Sequence, residues 1–380
     1  MKEELAKLFH GKLIFGLVLL SVIVNAYLLF MQRDTIENLH LIDDFCKENG
    51  CVVSDERMII LAELWNERNT NDISWEEFEN NIEGAARYYE YIQSSDMADA
   101  YNSLMHLEGK AAEYVQTEFR KLDSAINKAA QQELTFFPPY RMHTFDFIST
   151  YLLYALNLQG VVTAVIVTLY CVDMERSNHT ISTVYSTRKG KKIIKNKLFA
   201  SVAGSVICFL VIAVVSLMMA GCFFPVKTIM NTYVSNPMVN LKGAPCMTKE
   251  IMTIGKYIFI NLGISCFLTV IYSLGSFCLG LRAKNGYYAF GVLIVLLGVM
   301  KVISTVAPTS TCMFFWTQYN PLDMALKAGT WFLYGANNFS PSGYEGGTVI
   351  LWIVICAAGC IDGLRSMERR RESYDPAGNE

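Results

Sequence analysis

Residues 171–200 read CVDMERSNHTISTVYSTRKGKKIIKNKLFA, a polar and basic island between two long apolar runs. The island holds seven of the chain's 32 Lys and Arg residues, Arg176, Arg188, Lys189, Lys191, Lys192, Lys195 and Lys197, in a stretch too short to be a domain. A loop this basic beside two membrane-length segments is expected on the cytoplasmic side, because lysine and arginine in short loops stay on that face. That expectation orients the rest of the chain.

Working outward, the 380 residues are 52% hydrophobic and 18% charged, with a mean hydropathy of +0.28. This is more apolar surface than a soluble core disposes of. Six runs approach the roughly 20 apolar residues that cross about 30 Å of hydrocarbon. They are Leu13–Met31, Phe147–Val172, Leu198–Phe224, Tyr257–Leu281, Tyr287–Val306 and Thr348–Leu364, the last being the shortest. The fold class expected is an all-α polytopic membrane protein of six transmembrane helices, with a helical extracellular domain between spans 1 and 2.

Around the spans this divides the chain into an amphipathic cytoplasmic segment 1–12, an outer domain 32–146, the cytoplasmic loop 173–197 and an outer loop 225–256. A short inner loop 282–286, a piece 307–347 of extracellular or re-entrant helices and a cytoplasmic tail 365–380 complete it. Sixteen of the 32 basic residues, among them Lys2, Lys7, Lys12, Arg282, Lys284, Arg365 and Arg369–Arg371, fall in the pieces assigned inside. Both termini are therefore expected in the cytoplasm. The first run is longer than the apolar core of a signal peptide, and MQRDTIEN after it offers no small-x-small cleavage site, so it is read as a retained anchor.

The stretch 32–146 carries helix signals. Ser74, Trp75, Glu76 and Glu77 form a capping-box pattern, followed by Phe78, Ile82, Tyr89 and Ile92 at roughly helical spacing. Ala112, Val115, Phe119, Leu122, Ile126 and Ala129 step by three and four, the stripe of one long packed helix that Pro138 and Pro139 would end. Between Gln32 and Arg141 stand 22 acidic and 10 basic residues, a net of −12 against −3 for the whole chain. A solvated surface and one that attracts cationic ligands both fit such acidity.

Catalytic signals are missing. There is no GxxxxGK[ST], HExxH or GxSxG, and His10, His40, His106, His143 and His179 are scattered. The chain is not expected to be an enzyme, nor to hold a metal or cofactor of its own. Of eleven cysteines, Cys46 with Cys51 and Cys222 with Cys246 are candidate disulfides, with free thiols the open alternative. Asn25, Asn157, Gln159 and Asn261 lie within spans and serve either interhelical hydrogen bonding or a substrate pathway. Lys301, near the outer end of its span, is expected to snorkel to the surface.

The basic loop also has an internal pattern. Ile181, Val184 and Tyr185 form an apolar triad at i, i+3 and i+4, suited to a groove on a cytoplasmic partner with Lys191, Lys192, Lys195 and Lys197 at the anionic lipid surface, and an ordinary positive-inside loop with no partner fits the same residues equally. Glu175-Arg176 through Thr180-Ile181, then Tyr185-Ser186-Thr187-Arg188, then Lys197-Leu198 entering a span, resembles the loop between the second and third spans of ABC-2 type exporter permeases. His179 stands where that family has a glycine, and no proline follows Ser186. The layout is also similar, with an N-terminal amphipathic segment (Leu5, Leu8, Phe9) and a large domain after span one. Short outer helices between spans five and six, here within Thr317–Gly335 and starting at Pro321, complete it.

The resemblance implies a transport subunit that moves a substrate, a peptide being the first expectation, out of a bacterial cell. It further implies a separate ATP-binding subunit, carrying ATP and magnesium, docked on Glu175, Ile181, Val184, Tyr185 and Arg188, and a second permease subunit, identical or similar. No nucleic-acid partner is implied. The alternative from another class is a membrane sensor or immunity protein that binds its ligand through the 32–146 domain.

Overall fold

The computed structural model describes residues 2–31, 36–68, 74–137, 145, 147–177, 190–239 and 247–374. Over them the chain is helical, with isolated antiparallel bridges at Val52–Thr135, Tyr233–Thr253 and Met247–Tyr334 in place of a sheet. A short helix, α1 (Lys2–Phe9), turns at Gly11 into α2 (Lys12–Phe30), the first of six helices among the described residues that are long and apolar enough to cross a membrane. Leu8 is buried and Leu5 packs beside it, in a cluster with Val167, Cys171, Ala200 and Cys208 of later spans, while Phe9 stays exposed.

Six shorter helices follow: α3 (Ile36–Asn49), α4 (Asp55–Arg68), α5 (Trp75–Tyr91), α6 (Ser94–Leu104), α7 (Gly109–Arg120) and α8 (Asp123–Ala130). Ser74 caps α5, its hydroxyl accepting from the Glu77 amide at 3.2 Å, as the local pattern predicts. The stripe read as one helix is divided between α7 and α8. The chain turns at Lys121–Leu122, yet Val115, Phe119, Leu122, Ile126 and Ala129 still face one core, because a tight turn between two short helices preserves their spacing. The helical run ends at Ala130, well before Pro138 and Pro139, which lie outside the described residues.

The remaining spans are α9 (Phe147–Ser177), which opens with a π-helical turn, α10 (Gly190–Phe223), α12 (Ile254–Arg282), α13 (Gly286–Val306) and α16 (Tyr344–Tyr374). Between them lie α11 (Val226–Asn231), α14 (Met313–Trp316) and α15 (Pro321–Leu326). The span helices α10 and α16 run beyond the apolar stretches that mark them in the sequence, since a helix does not stop where hydrocarbon does. The last span, shortest by hydropathy, belongs to a helix of 31 residues.

Packing among the spans reverses the rule for soluble proteins. Large apolar side chains face outward, as with Phe15, Leu20, Ile23 and Tyr27 on α2, Phe259 and Phe267 on α12, and Val295 and Val302 on α13. The buried faces carry large side chains such as Leu156, Phe209, Leu268 and Phe277 together with many small or polar ones: Ser21 and Asn25, Gly160, Thr163 and Thr168, Ser205 and Ser216, then Ser265, Thr269, Ser273 and Ser276. In lipid an outward leucine costs nothing, and close backbone approach with interhelical hydrogen bonds is what holds helices together. Gly160 shows how close: a Cβ there would stand 2.8 Å from Phe209 and 2.9 Å from Thr269. The second span α9 is accordingly central, lying against α2, α10, α12, α13 and α15.

The 36–137 segment sits on one end of this bundle, called apical below; the end at which α9 closes and α10 opens is called basal. The segment is not a self-contained domain. The core of α3–α5 (Ile42, Phe45, Leu61, Trp65, Phe78, Ile82) is completed by Phe224, Ile229, Val234, Met238 and Met252 from between spans three and four and by Tyr257 in the first turn of span four. The core of α6–α8 is completed by Met247, Phe315, Tyr334 and Phe339.

Candidate functional site

The basal loop is closed at its root. Lys197, near the start of α10, is buried; its ammonium pairs with Glu175 at the end of α9 and donates to the Cys171 carbonyl at 2.7 Å. A buried ammonium is tolerated only where a counter-charge and further acceptors replace its water, so this lysine is fixed rather than free. It does not reach for the lipid surface as the sequence suggests. The basicity of the run gives no sign which lysine turns inward, and the signal lies instead in the acidic residues that close the preceding span, Asp173 and Glu175. Beside it, Asp173 accepts from the Gly286 amide at 3.1 Å, tying α9 to the start of α13. Arg282 at the end of α12 pairs with Asp362 of α16 at 2.6 Å. Each of the last five spans is thus bound to a neighbour at the basal end. Ile181, Val184, Tyr185 and Arg188 lie outside the described residues.

Of the four intramembrane amides, two meet. Asn25, fully buried on α2, donates to Gln159 Oε1 at 2.9 Å and to Ser216 Oγ at 2.7 Å, while Gln159 Nε2 donates back to Asn25 Oδ1 at 2.8 Å. One reciprocal amide pair with one hydroxyl thereby joins the first three spans. Asn157 and Asn261 act elsewhere, donating to the Ala325 carbonyl at 3.0 Å and to the Tyr257 carbonyl at 2.9 Å, each with its own Oδ1 unpartnered. Thr168 and Ser273 are hydrogen-bonded at 2.7 Å between α9 and α12.

The Cys46 and Cys51 side chains are hydrogen-bonded as separate thiols, and burial pushes the Cys46 thiol far above its ordinary range, so it stays protonated. Cys222 is exposed at the apical end of α10, and Cys246 lies outside the described residues.

Three polar features have no forewarning in the sequence. Glu118 of α7, buried, accepts from Lys121, from Lys249 Nζ at 2.8 Å, and from the Ser342 amide and hydroxyl at 3.1 and 2.7 Å. Burial raises its carboxyl, but the donors from Lys121, Lys249 and Ser342 outweigh that and hold it at about 2. Lys301 pairs with Asp323 at 2.6 Å instead of snorkelling. Trp331 and Tyr334, which follow α15, are buried, with Trp331 Nε1 donating to the Met324 carbonyl at 3.1 Å. Lys249 and Ser342 are remote in sequence from Glu118, and Asp323 from Lys301, so no local pattern announces those pairings.

Six helices among the described residues that are long and apolar enough to cross a membrane, with large apolar side chains turned outward and hydroxyls and amides buried between them, fit a multi-pass helical membrane protein. Comparison of the chain with family models, with curated proteins and with solved structures finds no match.

Proposed function

We propose that the chain is the membrane-spanning subunit of an ABC-2 type exporter, moving a substrate, a peptide in the first instance, outward with ATP hydrolysed by a separate subunit. In this reading the basal end is cytoplasmic, the apical segment is outside, and a second permease subunit completes the pathway. The observation that carries it is the closed root of the basic loop. With Lys197 bound to Glu175 and to the Cys171 carbonyl, a push on residues 178–189 reaches α9 and α10 together. From α9 it passes to every span that α9 touches, directly or through the Asp173–Gly286 contact. An ATP-binding partner that closes on nucleotide would do work on the spans only through such a stiff root, its leverage being the difference in affinity for the two states.

The test is at Val184 and Tyr185. Full burial of a large apolar side chain contributes roughly 1.5–3 kcal/mol, and an unpaired charge in the same groove is costly. In the Val184→Asp/Tyr185→Asp variant, retention of the ATP-binding subunit on the tagged full-length chain should fall at least about tenfold. Membrane insertion should persist, because the loop is outside the hydrocarbon. Full retention by the double variant would refute the docking assignment.

A further inference from the structure

After α13 leaves the bundle apically at Val306, the chain turns back. Three helical distances place the turn. About 22 Å of α13 separates Gly286, bonded to Asp173 at the basal end, from Lys301. About 15 Å of α16 separates Asp362, paired with Arg282, from Trp352, whose Nε1 donates to the Tyr319 carbonyl at 2.8 Å. About 24 Å of α9 separates Asp173 from Asn157, which donates to the Ala325 carbonyl. Residues 319–325 therefore lie roughly 15–25 Å above the basal ends, within the apical half of a hydrocarbon layer about 30 Å thick. The short helix α15 is re-entrant.

Backbone at that depth must find its partners inside the protein. Asn157 from α9, Tyr257 from α12 through Gly329, and Trp352 and Tyr344 from α16 through Tyr319 and Gln318 each donate to a carbonyl of the turn. These bonds depend only on the backbone being there. The tie to α13 is different in kind: Lys301 Nζ reaches Asp323 Oδ1, and Asn320 both donates to Asp323 Oδ2 at 2.6 Å and caps the Asp323 amide. Asp323 is 4% exposed at its side chain and Lys301 is 49% exposed, so the pair has a buried acid on the turn and a cation reaching it from an outward-facing helix. A charge pair set in a membrane span is costly and marks function by default.

We propose that Lys301–Asp323 is a latch that holds α13 against the re-entrant turn, and that its release opens a polar gap between the two. The spans α9, α12 and α16 keep the turn in place while α13, mostly outward-facing, moves. This goes beyond the exporter reading and stands without it, since the experiment involves no ATPase. Hydrogen exchange on the full-length chain in lipid nanodiscs tests it, read at 319–328 and at 298–306. Lys301→Met and Asp323→Asn should each speed exchange at least about tenfold in both stretches. The double variant should be no faster than either single one, and Lys301→Arg should stay close to the native rate.

Single variants as protected as the native chain would overturn the latch. So would effects that add in the double variant, because the two side chains would then not act as one unit. Protection in α5 and α12 reports that the fold persists. If either single variant loses protection everywhere, Lys301→Arg decides alone, and free exchange of the turn with a guanidinium in place overturns the proposal.

Discussion

Glu118 is a single carboxylate that gathers donors from three parts of the chain, and its acid–base behaviour follows. Its carboxyl is held at about 2, against an ordinary 4.5. A folded-state value below the unfolded one means stability that is fully present above about pH 4.5 and is lost as pH falls toward 2. The contribution is on the order of 2 kcal/mol, less than the full displacement implies, because Lys121 reaches solvent and screens the site. Thermal unfolding of the full chain in nanodiscs should show a lower melting temperature for Glu118→Gln at pH 7 and a smaller further fall in acid than for the native chain. Parallel pH profiles for the two proteins would remove Glu118 from the account. Nothing around position 118 in the sequence points to Lys249 or Ser342. The capping residue Ser74 and the paired amides Asn25 and Gln159 could be picked out, because a cap is local and an amide inside a span stands against an apolar background.

Between elements, the amide pair joins α2 to α9, with Ser216 of α10 as third member. Interhelical hydrogen bonds in a membrane contribute about 0.6–2 kcal/mol. Asn25→Leu leaves the half-buried Gln159 without its partner amide, and Gln159→Leu does the same to the buried Asn25, so each single change should destabilise by about that amount. The Asn25→Leu/Gln159→Leu double variant should lose less than the sum of the two, as measured by unfolding in mixed micelles. Strict additivity would show that the amides do not act on each other. The spans themselves were legible as elements, since length and apolarity suffice in lipid. Their pairing was not, because an all-round apolar helix carries no stripe, and a few amide, glycine and hydroxyl positions such as Asn25, Gly160 and Thr168 are all that mark the inner face. The division of α7 from α8 was hidden for the opposite reason: the turn at Lys121–Leu122 leaves the three-and-four stepping of the apolar stripe undisturbed.

For the whole molecule, the apical segment is half of two cores whose other halves arrive later in the chain. Residues 34–140 produced alone would expose Phe45, Trp65 and Phe119 where Met238, Tyr257 and Phe339 cover them in the full chain. Such a fragment should keep its helical circular dichroism but self-associate and unfold without a cooperative transition, and a sharp, monomeric melt would contradict the shared cores. The same arrangement sets a timetable for synthesis. At about 5–20 residues per second, the helices around Trp65 and Phe78 are complete roughly 10–30 s before Tyr257 emerges to close their core. The Phe119 core waits longer still, until Phe339. A nascent chain therefore carries two open apolar faces on the apical side while half its spans are still unmade, and shielding them falls to whatever chaperone attends that side of the membrane.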